Sequence, residues 1–144
     1  MQVKDIMTRG VECARPGDSM ASAAHKMKDL NVGALPVCGD EDTLVGMVTD
    51  RDITVRGTAE VIPPRLGLVS DVMTKGIIYC FEDQDVTEAA RLMKENQVRR
   101  LVVLNRDKRL VGIVSLGDLA VETGDEKLAG SALEGVSEPN RPDR

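Results

Sequence analysis

The chain repeats itself, and that fact limits its architecture more than any other. Val3 matches Val69, and the same offset aligns Asp5 with Asp71, Met7 with Met73, Thr8 with Thr74 and Gly10 with Gly76. Ala23-Ala24 falls on Ala89-Ala90, Met27-Lys28 on Met93-Lys94, and Leu44-Val45-Gly46 on Leu110-Val111-Gly112. No gap is needed until Ile53 meets Leu119. One register held that long marks a tandem duplication, so the fold is two copies of one supersecondary unit.

Each copy reads alike. A short strand is predicted near 11–14 and 77–80. An amphipathic helix follows at 19–30 and 85–96, with Ser19 and Asp85 at the N-cap and Asp85 with Glu88 resembling a capping box. The apolar stripe is Met20, Ala23, Ala24 and Met27 in one helix, and Val86, Ala89, Ala90 and Met93 in the other. That i, i+3, i+4, i+7 spacing describes one buried face. Strands at 34–38 with 44–49, and at 100–104 with 110–115, are joined by polar turns. The cluster Asp40-Glu41-Asp42 in one turn lacks the spacing and closing Glu of a calcium loop, so it reads as solvated. A last helix starts at Asp50 and at Leu116. The expected domains are 1–56, a Pro63-Pro64 connector at 57–68, 69–121, and a polar tail at 122–144. The tail is expected to be partly disordered, with one turn near 127–133.

The closing motif is Gly46-x-x-Thr49-x-x-Asp52, repeated as Gly112-x-x-Ser115-x-x-Asp118. A hydroxyl and a carboxylate one turn apart where a strand enters a helix have two readings. They cap the helix, or they meet a ribose-phosphate ligand, the carboxylate accepting from ribose hydroxyls. Arg99-Arg100 likewise reads as a phosphate fork or as a solvated strand edge.

Composition removes whole classes of function. Net charge is -5, and the chain has one Phe, one Tyr and no Trp, which opposes nucleic-acid binding. No apolar run suits a membrane span, and the N-terminus lacks a signal-peptide layout, so the expected location is cytoplasmic. The single histidine, His25, and the absence of CxxC leave no expected metal site. Without a nucleophile–base pair, no catalytic residues and no enzyme activity are expected.

A β-α-β-β-α order in tandem, with Asp5-x-Met7-Thr8, Val32-Gly33-Ala34-Leu35-Pro36-Val37 and the closing motif in each copy, resembles a CBS-domain pair, or Bateman module. The resemblance covers about Val3 to Val121. Length and runs such as Thr49-Asp50-Arg51-Asp52-Ile53 are similar to the short stand-alone bacterial members, the group related to the mycobacterial hypoxic response protein.

The resemblance implies an α/β (α+β) fold with two halves about a pseudo-twofold axis and two clefts. The implied ligands are adenosine compounds: AMP, ADP, ATP, S-adenosylmethionine or NAD-type molecules. No cofactor is required; the nucleotide is a regulatory ligand. It also implies a homodimer and an unknown protein partner. One cleft would hold Thr49 and Asp52 with Thr74, Ile77, Arg99 and Arg100. The other would hold Ser115 and Asp118 with Thr8, Val11, Val32, Gly33 and Ala34. Family architecture also places Cys13 near Cys38, within reach of a disulfide. The expected function is a non-catalytic sensor; the alternative is a ligand-free module that dimerises and binds a protein.

Overall fold

The computed structural model describes residues 1–138. The chain forms two compact units whose boundaries do not follow the repeats. The first unit is Glu12–Ile77, and the second joins Met1–Val11 to the chain from Ile78 onward. Each repeat thus gives its leading segment to the unit built on the other repeat.

The first unit contains α1 (Met20–Leu30), β1 (Ala34–Cys38), β2 (Leu44–Thr49), α2 (Asp50–Asp52, continuing as a π-helical run Ile53–Thr58) and α3 (Val69–Val72). Ser19 Oγ accepts from the Ser22 amide at 3.0 Å and starts α1. Asn31, left-handed at φ 55°, ends it. Met20, Ala23 and Met27 pack with Leu35, Val37, Val48, Val69 and Val72 to make the core. The strand expected at 11–14 shrinks to one parallel bridge, Ala14 to Val37. Ala14 N–H donates to the Pro36 carbonyl, and Cys38 N–H to the Ala14 carbonyl. The next parallel ladder bonds on either side would need N–H groups from Pro16 and Pro36, and proline has none.

The second unit contains β3 (Tyr79–Phe81), α4 (Val86–Asn96), β4 (Arg100–Leu104), β5 (Leu110–Ser115), α5 (Leu116–Glu122) and α6 (Glu126–Ser137). Its sheet runs β3-β4-β5, parallel then antiparallel. Glu82 stands at the position equivalent to Pro16, and its amide donates to the Leu104 carbonyl at 2.9 Å. The ladder therefore survives here. The Asp85 carboxylate caps α4 by accepting from the Thr87 amide. The expected reciprocal bond from Glu88 is absent, because the Glu88 carboxylate turns to Arg91 one turn on.

The expected tail is corrected over Glu126–Ser137. This segment is α6, started by Asp125 Oδ1 accepting from the Leu128 amide at 3.0 Å. Ala132 is buried, and Leu128 and Val136 pack against the core of α4, α5 and the sheet. Gly135 meets α4 closely, since a Cβ there would overlap the Lys94 side chain. The cover on α4 explains a mismatch between the two apolar stripes. Ala90 is buried, whereas its counterpart Ala24 is exposed; no helix in the first unit corresponds to α6. The disorder expected for residues 139–144 lies outside the described residues.

Candidate functional site

The two closing motifs are built identically. Thr49 Oγ1 accepts from the Asp52 amide at 3.0 Å, and Asp52 Oδ2 accepts from the Thr49 amide at 3.1 Å. Ser115 Oγ accepts from the Asp118 amide at 3.1 Å, and Asp118 Oδ2 accepts from the Ser115 amide at 2.8 Å. Both pairs are reciprocal capping boxes. Capping therefore uses one carboxylate oxygen in each pair and leaves Oδ1 for another role.

The surroundings of that second oxygen differ. Asp52 is buried, at 9% exposure. The Thr74 hydroxyl donates to its carboxylate over long distances, 3.4 and 3.5 Å, and Arg56 Nε stands 4.0 Å from Oδ1. Asp118 is half-buried, and its Oδ1 has no partner among the described residues.

The leading segments enter each motif through backbone pairing. Thr74 exchanges two hydrogen bonds with Met47, at 2.7 and 2.9 Å, and Thr8 exchanges two with Ile113, at 2.8 and 3.0 Å. The glycine of each motif makes room for them. A Cβ on Gly112 would stand 2.7 Å from the Thr8 carbonyl oxygen, and one on Gly46 would stand 3.0 Å from that of Thr74. Gly112→Ala is expected to cost about 1–3 kcal/mol through overpacking against backbone that has little freedom to move. Denaturant unfolding of the variant measures it. An unchanged midpoint would show that the leading segment is loosely held.

Hairpin register sets which strand residues neighbour each motif within its own unit. Arg100 is opposite Ser115, and the Leu116 amide donates to the Arg99 carbonyl at 2.9 Å. Ala34 is opposite Thr49, and the Asp50 amide donates to the Gly33 carbonyl at 2.9 Å. The expected grouping set Arg99 and Arg100 with Thr49 and Asp52; within its own unit the register stands Arg99 and Arg100 beside Ser115, and Gly33 and Ala34 beside Thr49. An antiparallel hairpin must bring the first residue of one strand to the last residue of the other within one repeat. Thr74 and Thr8 pair with the strand that carries the motif of the opposite repeat. Val11 and Ile77 are half-buried at the ends of the two exchanged segments, and Val32 is exposed just ahead of β1.

The second unit carries a cavity of about 360 Å³ lined by Arg99, Arg100, Ser115, Leu116, Gly117 and Ala120. That is the size of a small-molecule site. Both arginines are exposed, and neither forms an ion pair among the described residues. Two guanidinium groups in a lining that holds no acidic residue give the cavity a positive charge suited to phosphate. Leu116 and Gly117, on the cavity wall, escaped the sequence reading; they are visible there only as the residues inside Ser-x-x-Asp. The first unit has Asp50 where the second has Leu116, and the Asp50 carboxylate lies against Gly33, 3.0 Å from a Cβ built there. Negative charge thus sits where the second unit presents arginines.

A family model for the CBS domain matches residues 3–56 and 69–123. Protein YlbB of Bacillus subtilis is 43% identical over 138 residues, covering 95% of this chain and 92% of its own. Hypoxic response protein 1 of Mycobacterium tuberculosis is 39% identical over 117 residues, covering 81% of each. The crystal structure of CBSX2 in complex with AMP superimposes with TM-score 0.74 at 30% identity, covering 88% of this chain and 98% of that one. The CBS domain pair of protein MJ0100, in complex with 5-methylthioadenosine and S-adenosyl-L-methionine, has TM-score 0.74 at 28% identity, covering 83% and 97%.

Proposed function

The chain belongs to the CBS domain family, and from that premise we propose that it is a non-catalytic sensor of adenosine nucleotides. The observation that carries this is the cavity of the second unit, lined by Ser115 and by two arginines that form no ion pair among the described residues, at the start of the helix whose Asp118 keeps a spare carboxylate oxygen. Arg99 and Arg100 bind the phosphate as charged forks. Asp118 Oδ1 accepts from the ribose hydroxyls, and Ser115 keeps its hydroxyl proton for a phosphate oxygen while its lone pair caps α5. Gly117 and Ala120 lack bulk, which leaves space for the base. AMP bound to CBSX2, and 5-methylthioadenosine and S-adenosyl-L-methionine bound to MJ0100, support this ligand class.

The first unit is the weaker phosphate site in this reading. Gly33 and Ala34 offer no cation, and Asp50 opposes an anion there. Thr49, Asp52 and Thr74 form a closed network, so less of that motif is free for ligand.

Ligand binding acts by shifting the population between conformations or assemblies. The output passes through a second copy of the chain and then through a protein partner. No helix of the described residues is long and apolar enough to cross a membrane. Thermal-shift measurement with AMP, ADP, ATP, S-adenosylmethionine, NAD and adenosine tests the reading. A ligand at 100 times its Kd stabilises the chain by about 2.7 kcal/mol. Stabilisation by phosphate-bearing ligands above adenosine is expected; no shift with any of them would favour a ligand-free interaction module.

A further inference from the structure

The bridge at Ala14 leaves the leading segment of the first unit lightly held. Two prolines truncate the ladder, and Arg15 partly replaces it. Arg15 Nη1 donates to the Cys38 carbonyl at 3.2 Å and also to the Gly39 carbonyl. The Lys26 ammonium donates to the Cys13 carbonyl at 2.7 Å. Beside this thin attachment, Cys13 Sγ and Cys38 Sγ stand 2.9 Å apart as free thiols. A disulfide bond is about 2.0 Å long, so the two sulfurs need only a small closure to bond. The second repeat has Tyr79 and Leu104 at these positions and a full ladder instead.

We propose that Cys13 and Cys38 form a thiol–disulfide redox pair that locks and releases the leading segment of the first unit. Cys13 is the attacking group. It is half-buried and so reachable, whereas Cys38 is fully buried. The hydrogen bond shared with Cys38 lowers the Cys13 pKa below its ordinary value. The same bond, together with burial, pushes Cys38 up. A half-buried thiol biased towards thiolate, with a fully buried thiol behind it, is the layout of an attacking and a resolving cysteine.

The oxidant class is a small-molecule disulfide, such as oxidised glutathione. The Cys13 thiolate attacks one of its sulfurs, forming a mixed disulfide and expelling one glutathione thiolate. Cys38 loses its proton and attacks the Cys13 sulfur, expelling the second glutathione thiolate. The chain loses two hydrogens, and one oxidised glutathione becomes two reduced molecules. Cys80 takes no part. It is buried in the second unit's core, and burial pushes its pKa up to about 12, so it stays a thiol.

The test equilibrates the full chain in glutathione buffers of graded ratio, then reads intact mass and free thiols after denaturation. Under oxidising ratios one free thiol should remain, mapped to Cys80, with the mass of two hydrogens lost and no adduct retained. Dithiothreitol should restore three thiols. The oxidised chain should melt about 5 °C or more above the reduced one, because the bond closes a loop from 13 to 38. Cys38→Ser should instead hold a stable glutathione adduct on Cys13. That variant keeps the proposal testable even if Cys13→Ser folds poorly. Three free thiols at equilibrium with excess oxidised glutathione, or a lasting adduct on Cys13 in the unmodified chain, would overturn it.

Discussion

Replacing Arg99 and Arg100 together by alanine should weaken AMP binding about 100-fold or more, while adenosine affinity changes less than about threefold. The magnitude follows from losing two charge-assisted interactions of about 1.5–3 kcal/mol each. The selectivity follows from where the groups stand. The arginines line the cavity with Ser115 and Gly117, and neither is spent on an ion pair among the described residues. Both are exposed, so the double variant should melt within about 2 °C of the parent. AMP affinity of the parent should fall with added salt, and that slope should flatten in the variant. Calorimetric titrations of both proteins with AMP and adenosine at two salt concentrations measure all of this. Equal losses for the two ligands would assign the arginines to packing of the hairpin, and phosphate recognition would have to come from elsewhere.

Asp52→Ala should destabilise the chain by about 2–4 kcal/mol, and Asp118→Ala by only about 1 kcal/mol. The two residues occupy equivalent positions in the repeat, so the difference comes from surroundings alone. Both lose a reciprocal cap, which is worth about 1 kcal/mol. Asp52 is in addition buried, receives the Thr74 hydroxyl and faces Arg56. Its removal takes an acceptor from the Thr74 hydroxyl and the nearby carboxylate from Arg56, which keeps the Val72 and Met73 carbonyls as acceptors. The long Thr74 distances place the expected loss in the lower half of that range. Urea unfolding of the two variants gives the comparison. If Asp118→Ala proved as costly as Asp52→Ala, the spare oxygen of Asp118 would have a structural partner, and its assignment to ribose would fail.

Much of this is legible in the sequence. The unbroken register from Val3 to Ile53 announced two equivalent units. Periodicity places α1 and α4, and apolar runs joined by polar turns place both hairpins. Thr49, Asp52, Ser115 and Asp118 stood out because a hydroxyl and a carboxylate three residues apart at a strand end have few uses. Three features were harder to read. The grouping of Arg99 and Arg100 depends on hairpin register: pairing Arg100 with Ser115 follows from a turn centred on Asn105–Lys108, which the sequence already contained. The lost strand at 11–14 follows from Pro16 and Pro36 acting on the same ladder, and that ladder is visible only once the partner strand is known. The helix α6 hid behind Gly130 and Gly135, which lower helix propensity. Its signal was Asp125 as an N-cap and the spacing of Leu128, Ala132 and Val136. Tertiary burial against α4 outweighed the glycines.

The central claim is that the second unit's cavity receives the nucleotide. Titrating uniformly ¹⁵N-labelled chain with AMP and following backbone amide shifts tests it most directly. Saturable shifts clustered on Arg99–Leu101 and Ser115–Ala120 are the expected result, with the same midpoint as calorimetry. Shifts centred instead on Gly33–Ala34 and Thr49–Arg51, or none that saturate, would contradict it.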